Sequence, residues 1–161
     1  MVGFTKLGEG LPVDQIGEVT GRFAEIVADV VEPPVRLVKL IGDAAMLVSR
    51  RPEPLLEAAL GLLEAVAEEG PGFPPLRIGA TWGAAISRGG DWFGRPINLA
   101  SRLTTAARPS SLLIDEALRD AVVPDGFEFS DAGHKNLKGI GSVHVLRVRR
   151  APLPSDPFRR H

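Results

Sequence analysis

The chain has 161 residues, 44% of them apolar and 24% charged, with a formal net charge of −1. That length fits one domain able to bury a core, and the near-neutral balance gives no overall basic field for nucleic acid. There is no cysteine, which excludes disulfides and thiolate metal sites and fits a cytoplasmic protein. Tyrosine is absent as well, and only three histidines are present. That removes tyrosine as a catalytic acid and leaves little for a histidine metal site. No apolar run is long enough to span a membrane, and no signal peptide is visible.

Taken in order, residues 1–5 read as the end of a strand entering a turn. Leu11 and Pro12 lead into a helix capped by Asp14 or a neighbour. Its apolar face is Ile16, Val19, Phe23, Ile26, Val27 and Val30, and Pro33 and Pro34 end it. Residues 35–48 (VRLVKLIGDAAMLV) then form two apolar strands around Gly42 and Asp43, a favoured two-residue hairpin turn. Two charges interrupt this unit. Lys39 lies within the first strand, where a buried ammonium needs a partner; its plain reading is an edge-strand charge. Asp43 lies at the tip, where its plain reading is turn chemistry, although a carboxylate there is also free to bind a metal.

A second helix covers residues 51–69, with Leu55, Leu56, Ala59, Leu60, Leu63 and Val66 as its buried stripe. Residues 70–75 are a loop, 76–82 a strand, and 84–87 continue the extended chain until 88–91 (RGGD) break it. A third helix begins near Gly94 or Arg95, tolerates Pro96 in its first turn, and runs to about Ala107. A short strand (110–114), a short helix (116–122) and an extended piece (127–129) follow. Residues 133–138 and 143–148 make a final hairpin around Gly139 and Gly141. Residues 1–150 are thus expected as one domain, and residues 151–161 as a loose tail. The pattern predicts an α+β fold, an antiparallel-rich sheet with helices on one face. A doubly wound fold is disfavoured, because no Gly-rich phosphate loop follows an early strand.

The third helix carries the clearest constellation. Asn98 and Arg102 are four apart and share a face, while Ile97, Ala100 and Leu103 fall on another that can pack on the sheet. Such a polar stripe could simply face solvent. Asp91, however, stands just ahead, beside Trp92, Phe93 and Gly94. An acid, an amide and a guanidinium suit a nucleotide. The acid accepts from a base amino group, the amide orients the sugar, and the guanidinium neutralises phosphate.

Residues 38–43 (VKLIGD), 91–98 (DWFGRPIN), 100–102 (ASR) and 137–141 (LKGIG) resemble, in order and spacing, successive motifs of the class III nucleotidyl cyclases. Residues 2–5 (VGFT) match the tail of that family's opening motif. The resemblance covers roughly residues 1–148 and is most like bacterial adenylate cyclase catalytic domains. It implies a ferredoxin-like palm with extra strands and conversion of ATP to cyclic AMP and pyrophosphate. On this resemblance Asp43 would ligate two divalent cations, Mg or Mn. Lys39 and Asp91 would read the base, Asn98 would orient the ribose, and Arg102 would stabilise charge on the α-phosphate. Lys138 would hold the β- and γ-phosphates. Adenine offers an acceptor at N1 and a donor at its 6-amino group, which a lysine and an aspartate complement; guanine reverses both. The pair therefore implies ATP over GTP.

In that family the site lies between two catalytic domains. One chain here carries both kinds of residue, so a head-to-tail homodimer with two equivalent shared sites is implied. The sequence departs from the family in two places. The second metal-binding aspartate of the opening motif would directly precede the position of Met1. Residues 81–84 (TWGA) stand where the family often has His-x-Gly and then an arginine. Two other readings stay open: a nucleotide-binding regulatory cyclase-like module without turnover, and a purely structural dimerisation domain. The joint presence of Lys39, Asp91, Asn98, Arg102 and Lys138 weighs against the second.

Overall fold

A computed structural model describes residues 1–152. The apolar runs around Gly42 form β1 (Arg36–Ile41) and β2 (Ala44–Val48), an antiparallel hairpin. Gly42 turns it with a φ of 56°, in the left-handed region that glycine enters without a Cβ clash. Next comes β3 (Arg77–Ala80), then a small hairpin of β4 (Ile86–Arg88) and β5 (Asp91–Phe93). The remaining strands are β6 (Ser111–Asp115), β7 (Phe127–Leu137) and β8 (Gly141–Arg150). The principal sheet runs β3-β6-β8-β7, with β3 and β6 parallel and the other two pairs antiparallel. Every residue of β6 is buried, as befits a central strand with an almost unbroken apolar run.

Five helices pack around these strands: α1 (Phe4–Gly10), α2 (Val13–Val30), α3 (Pro52–Glu68), α4 (Arg95–Ala106) and α5 (Glu116–Ala121). Helix α3 lies between α2 and the sheet. Its Leu56, Ala59 and Leu60 join Leu112, Ile114, Leu118 and Val148 in one cluster. Its Leu62 and Val66 join Phe23, Ile26 and Val27 of α2 in another. Burial on two sides explains why Ala58 and Leu62 are covered beyond the expected stripe. A third cluster, Leu99, Leu103, Leu137 and Val145, seats α4. Val145 and Val148 point to opposite sides of β8 by strand alternation, so α4 and α3 lie on opposite faces of the sheet.

The α+β, antiparallel-rich architecture is as read from the sequence, with five corrections. Helices cover both faces of the sheet rather than one. Residues 1–5 do not end a strand: Gly3, at φ 71°, turns the chain into α1, which packs with Gly8 against Ile16 of α2. The first half of α2 is only partly covered, and its buried residues are Phe23, Ile26 and Val27. Residues 88–91 turn the β4–β5 hairpin through Gly89 and Gly90 instead of merely breaking a strand. The two ends of the expected sheet are also separate, since β1–β2 is not hydrogen-bonded to the four-stranded sheet. Met1 and Val2 lie between them, Met1 N donating to the Asp43 carbonyl at 2.9 Å and Val2 N to the Pro75 carbonyl at 2.8 Å. Most of the expected tail, residues 153–161, lies outside the described residues. No helix among the described residues is long and apolar enough to cross a membrane.

Candidate active site

Lys39 and Asp91 meet although 52 positions separate them in sequence, Lys39 Nζ donating to Asp91 Oδ2 at 2.6 Å. Lys39 comes from β1, just past a register slip between Leu37 and Lys39; such a bulge re-aims a side chain relative to the regular pleat. Asp91 opens β5, and its Oδ1 accepts from the Trp92 amide at 2.8 Å. The Lys39 contact, and after it the Trp92 N–H, hold the Asp91 carboxyl below the usual aspartate range. Asp91 is therefore an acceptor at neutral pH. The two side chains are 40% and 35% exposed, so Lys39 is not the costly buried ammonium feared from its strand. An ion pair that open contributes little to stability.

Helix α4 supplies the second group. Its first turn follows Gly94, whose φ of 138° only glycine adopts without strain. It is docked on β3 by backbone proximity. A Cβ at Gly79 would lie 2.2 Å from Thr104 N and 2.6 Å from the Ala100 carbonyl oxygen. Thr104 Oγ1 accepts from Gly79 N at 2.9 Å and donates to the Ala100 carbonyl at 2.8 Å. The buried stripe of α4 is Leu99 and Leu103, with Ile97 and Ala100 only half-buried. That orientation turns Asn98 and Arg102 outward. Together with Arg95, Ser101 and the β7–β8 turn at Lys138, Gly139 and Ile140, they line a cleft of about 730 Å³. The structure thus brings Asn98, Arg102 and Lys138 into one place.

Asp43 stands apart at the tip of β1–β2. Its Oδ2 lies 3.0 Å from Met1 N. At residues 81–84, Thr81 Oγ1 donates to buried Asp115 Oδ2 at 2.6 Å. Asp115 in turn caps α5 by accepting from Leu118 N at 3.1 Å, and Trp82 packs on the core. This segment serves the fold and contributes no cation to the cleft.

No family model matches the chain. Over 155 residues it is 48% identical to a pH-sensitive adenylate cyclase of Mycobacterium tuberculosis, an alignment taking in 93% of this chain and 39% of that protein. An adenylate cyclase of Streptomyces griseus is 37% identical over 127 residues, 78% of this chain and 32% of that one. The crystal structure of the adenylyl cyclase CyaB from P. aeruginosa superposes with a TM-score of 0.75 at 19% identity, covering 94% of this chain and 90% of that one. The chain belongs to the class III nucleotidyl cyclases. It spans only about two fifths or less of the length of the two curated relatives.

Asp43 is the metal-ligand candidate that this cyclase domain itself supplies. Among the described residues, no group of three histidine, aspartate or glutamate side chains could hold a metal ion. Asp43 offers one carboxylate, and one carboxylate does not make a cage for two divalent cations. The cyclase cleft also contains residues the sequence reading passed over. Arg95 carried a readable signal, a cation in the first turn of a helix where acids are favoured. The fit of Gly79 under Thr104 carried none, because it depends on a contact between elements 25 positions apart.

Proposed function

We propose that the domain is an adenylate cyclase, converting ATP to 3′,5′-cyclic AMP and pyrophosphate at sites shared within a homodimer. The observation that carries this reading is the Lys39–Asp91 contact at 2.6 Å, a donor and an acceptor side by side. Lysine has three N–H donors and aspartate several lone pairs, so both can hold each other and still engage a base. Lys39 donates to adenine N1 and Asp91 accepts from the 6-amino group. Guanine would set its O6 lone pairs against Asp91 and leave polar groups unpaired.

Asn98 orients the ribose, Arg102 meets the charge that develops on the α-phosphate, and Lys138 holds the terminal phosphates. The ribose 3′-oxygen forms a bond to the α-phosphorus as the bond to the bridging oxygen of pyrophosphate breaks, and the hydroxyl proton passes to solvent. The protein contributes alignment and electrostatic stabilisation. Mg or Mn is the expected companion of ATP, and Asp43 offers it one carboxylate. The roles above belong to the chain's own side chains.

Exposed apolar side chains support the homodimer. Ile86 and Phe93, 71% and 53% exposed, face each other across β4–β5, and Ile41 on β1 is 59% exposed. These hairpins are the two that Lys39 and Asp91 join. A second copy covering them would add apolar burial at about 25 cal/mol per Å². The test is complementation. Asp43→Ala and Lys39→Glu should each be folded and inactive in a cyclic AMP assay. Mixed, about half the dimers are heterodimers with one intact site of two, so activity should recover to about a quarter of wild type. No recovery, with subunit exchange confirmed by mass spectrometry, overturns the shared site.

A second reading, a nucleotide-binding module without turnover, draws on one observation: among the described residues no group of three histidine, aspartate or glutamate side chains could hold a metal ion. ATP binding without cyclic AMP formation would establish that reading.

A further inference from the structure

The cleft beside α4 has an electrostatic imbalance that the fold does not resolve. Three cations line it, Arg95, Arg102 and Lys138, and no carboxylate does. None of the three has an ion-pair partner among the described residues. The chain as a whole carries a net charge of −1, so this is a local surplus and not the overflow of a basic protein. Arg95 is the most conspicuous member. It is the first residue of α4, whose first turn holds no acid and whose Gly94 cap supplies no side-chain acceptor. A guanidinium there opposes the positive end of the helix dipole. A placement that works against its own helix marks a position chosen for a ligand rather than for stability. Three cations and an uncapped helix start, with none of the charge neutralised internally, suit a multiply charged anion.

We propose that Arg95 is a polyphosphate-binding residue of this site, taking the terminal phosphates of ATP together with Lys138 while Arg102 serves the α-phosphate. The proposal rests on the cyclase reading for the identity of the nucleotide, and on the cleft alone for the anion. A planar, permanently charged guanidinium can grip two phosphate oxygens at once, whereas Lys138 acts as a point charge.

The test compares Arg95→Gln with Arg108→Gln, which removes the same charge beyond the other end of α4 and outside the cleft. Inorganic tripolyphosphate is titrated calorimetrically into the full chain at low salt, and KM and kcat for ATP are measured. Arg95→Gln should weaken tripolyphosphate binding about tenfold and raise KM by a similar factor, with kcat changed less than about twofold. Orthophosphate should bind far more weakly than tripolyphosphate, and Arg108→Gln should behave as wild type. The melting temperature of Arg95→Gln should not fall, because the cation it removes works against the helix. Equal losses in the two variants, unchanged tripolyphosphate binding in Arg95→Gln, or a destabilised Arg95→Gln would each overturn the proposal. Failure of the cyclase reading looks different: no cyclic AMP forms, yet tripolyphosphate still binds and still depends on Arg95.

Discussion

Gly79→Ala tests how Arg102 is held in place. The added methyl would sit 2.2 Å from Thr104 N and 2.6 Å from the Ala100 carbonyl. Both are rigid backbone atoms of α4, so no side chain can swing aside. Restoring ordinary van der Waals contact requires α4 to retreat by about 1 Å, in a region packed too tightly to absorb the shift freely. Overpacking of this kind destabilises by about 1–3 kcal/mol, which lowers the melting temperature by roughly 3–10 °C at this chain length. The larger effect falls on catalysis. Arg102 lies two residues from Thr104 and moves with it, and a displacement near 1 Å can reduce a rate about a hundredfold. The assay is initial-rate cyclic AMP formation beside a thermal melt, well below the melting temperature of the variant. A folded Gly79→Ala protein with kcat within about twofold of wild type would refute the argument that Gly79 sets the position of Arg102. Thr104→Ser, which keeps the hydroxyl between Gly79 N and the Ala100 carbonyl, should stay close to wild type, whereas Thr104→Val should resemble Gly79→Ala in kind.

Two further predictions concern charge. Arg102→Ala should lower kcat about a hundredfold or more while KM changes little, because in the proposed mechanism its contact strengthens as charge develops on the α-phosphate; a change confined to KM would reassign it to ground-state binding. His144 bridges Glu116 at 2.7 Å and Asp131 at 3.0 Å, ties α5 to β7, and stacks on His134 at 5.0 Å. Those carboxylates, Glu116 first, raise its pKa above the ordinary 6.5. A raised histidine stabilises fully below its unfolded value and loses that contribution as pH rises through the folded one. The melting-temperature advantage of wild type over His144→Gln should therefore shrink as pH rises above about 6.5, and a difference that stays constant as pH rises would rule the bridge out as a stabilising contact.

Much of this architecture was legible where one element decides one property. Gly42 and Asp43 announced the β1–β2 hairpin because a two-residue turn is local chemistry, and the spacing of Asn98 and Arg102 placed them on one helical face without any tertiary knowledge. Helix α3 shows the limit. A sequence period reveals one buried stripe, but a helix lodged between α2 and the sheet buries two, and Leu62 and Ala58 were invisible for that reason. The three-residue strands β4 and β5 are too short to show alternation. Their pairing rests on Gly89 and Gly90, which read as a break. Residues 1–10 hold three glycines and have no period at all, so α1 exists by packing against α2. In the cleft, Asn98 and Arg102 were named from their helical spacing and Lys138 from the family resemblance, but their convergence depends on Leu137 and Leu103 sharing one apolar cluster.

The contact between Lys39 and Asp91 has a consequence for affinity. Freezing a long side chain on binding costs about 0.5–1.5 kcal/mol. Here the two groups proposed to face the base already contact each other before any nucleotide arrives. Part of that ordering is thus met during folding for any ligand that accepts the pair as it stands, though no more of it than so open a pair can enforce. A base that must prise the two apart forfeits that gain. Preorganisation of this kind favours a base edge that fits the pair over one that must break it.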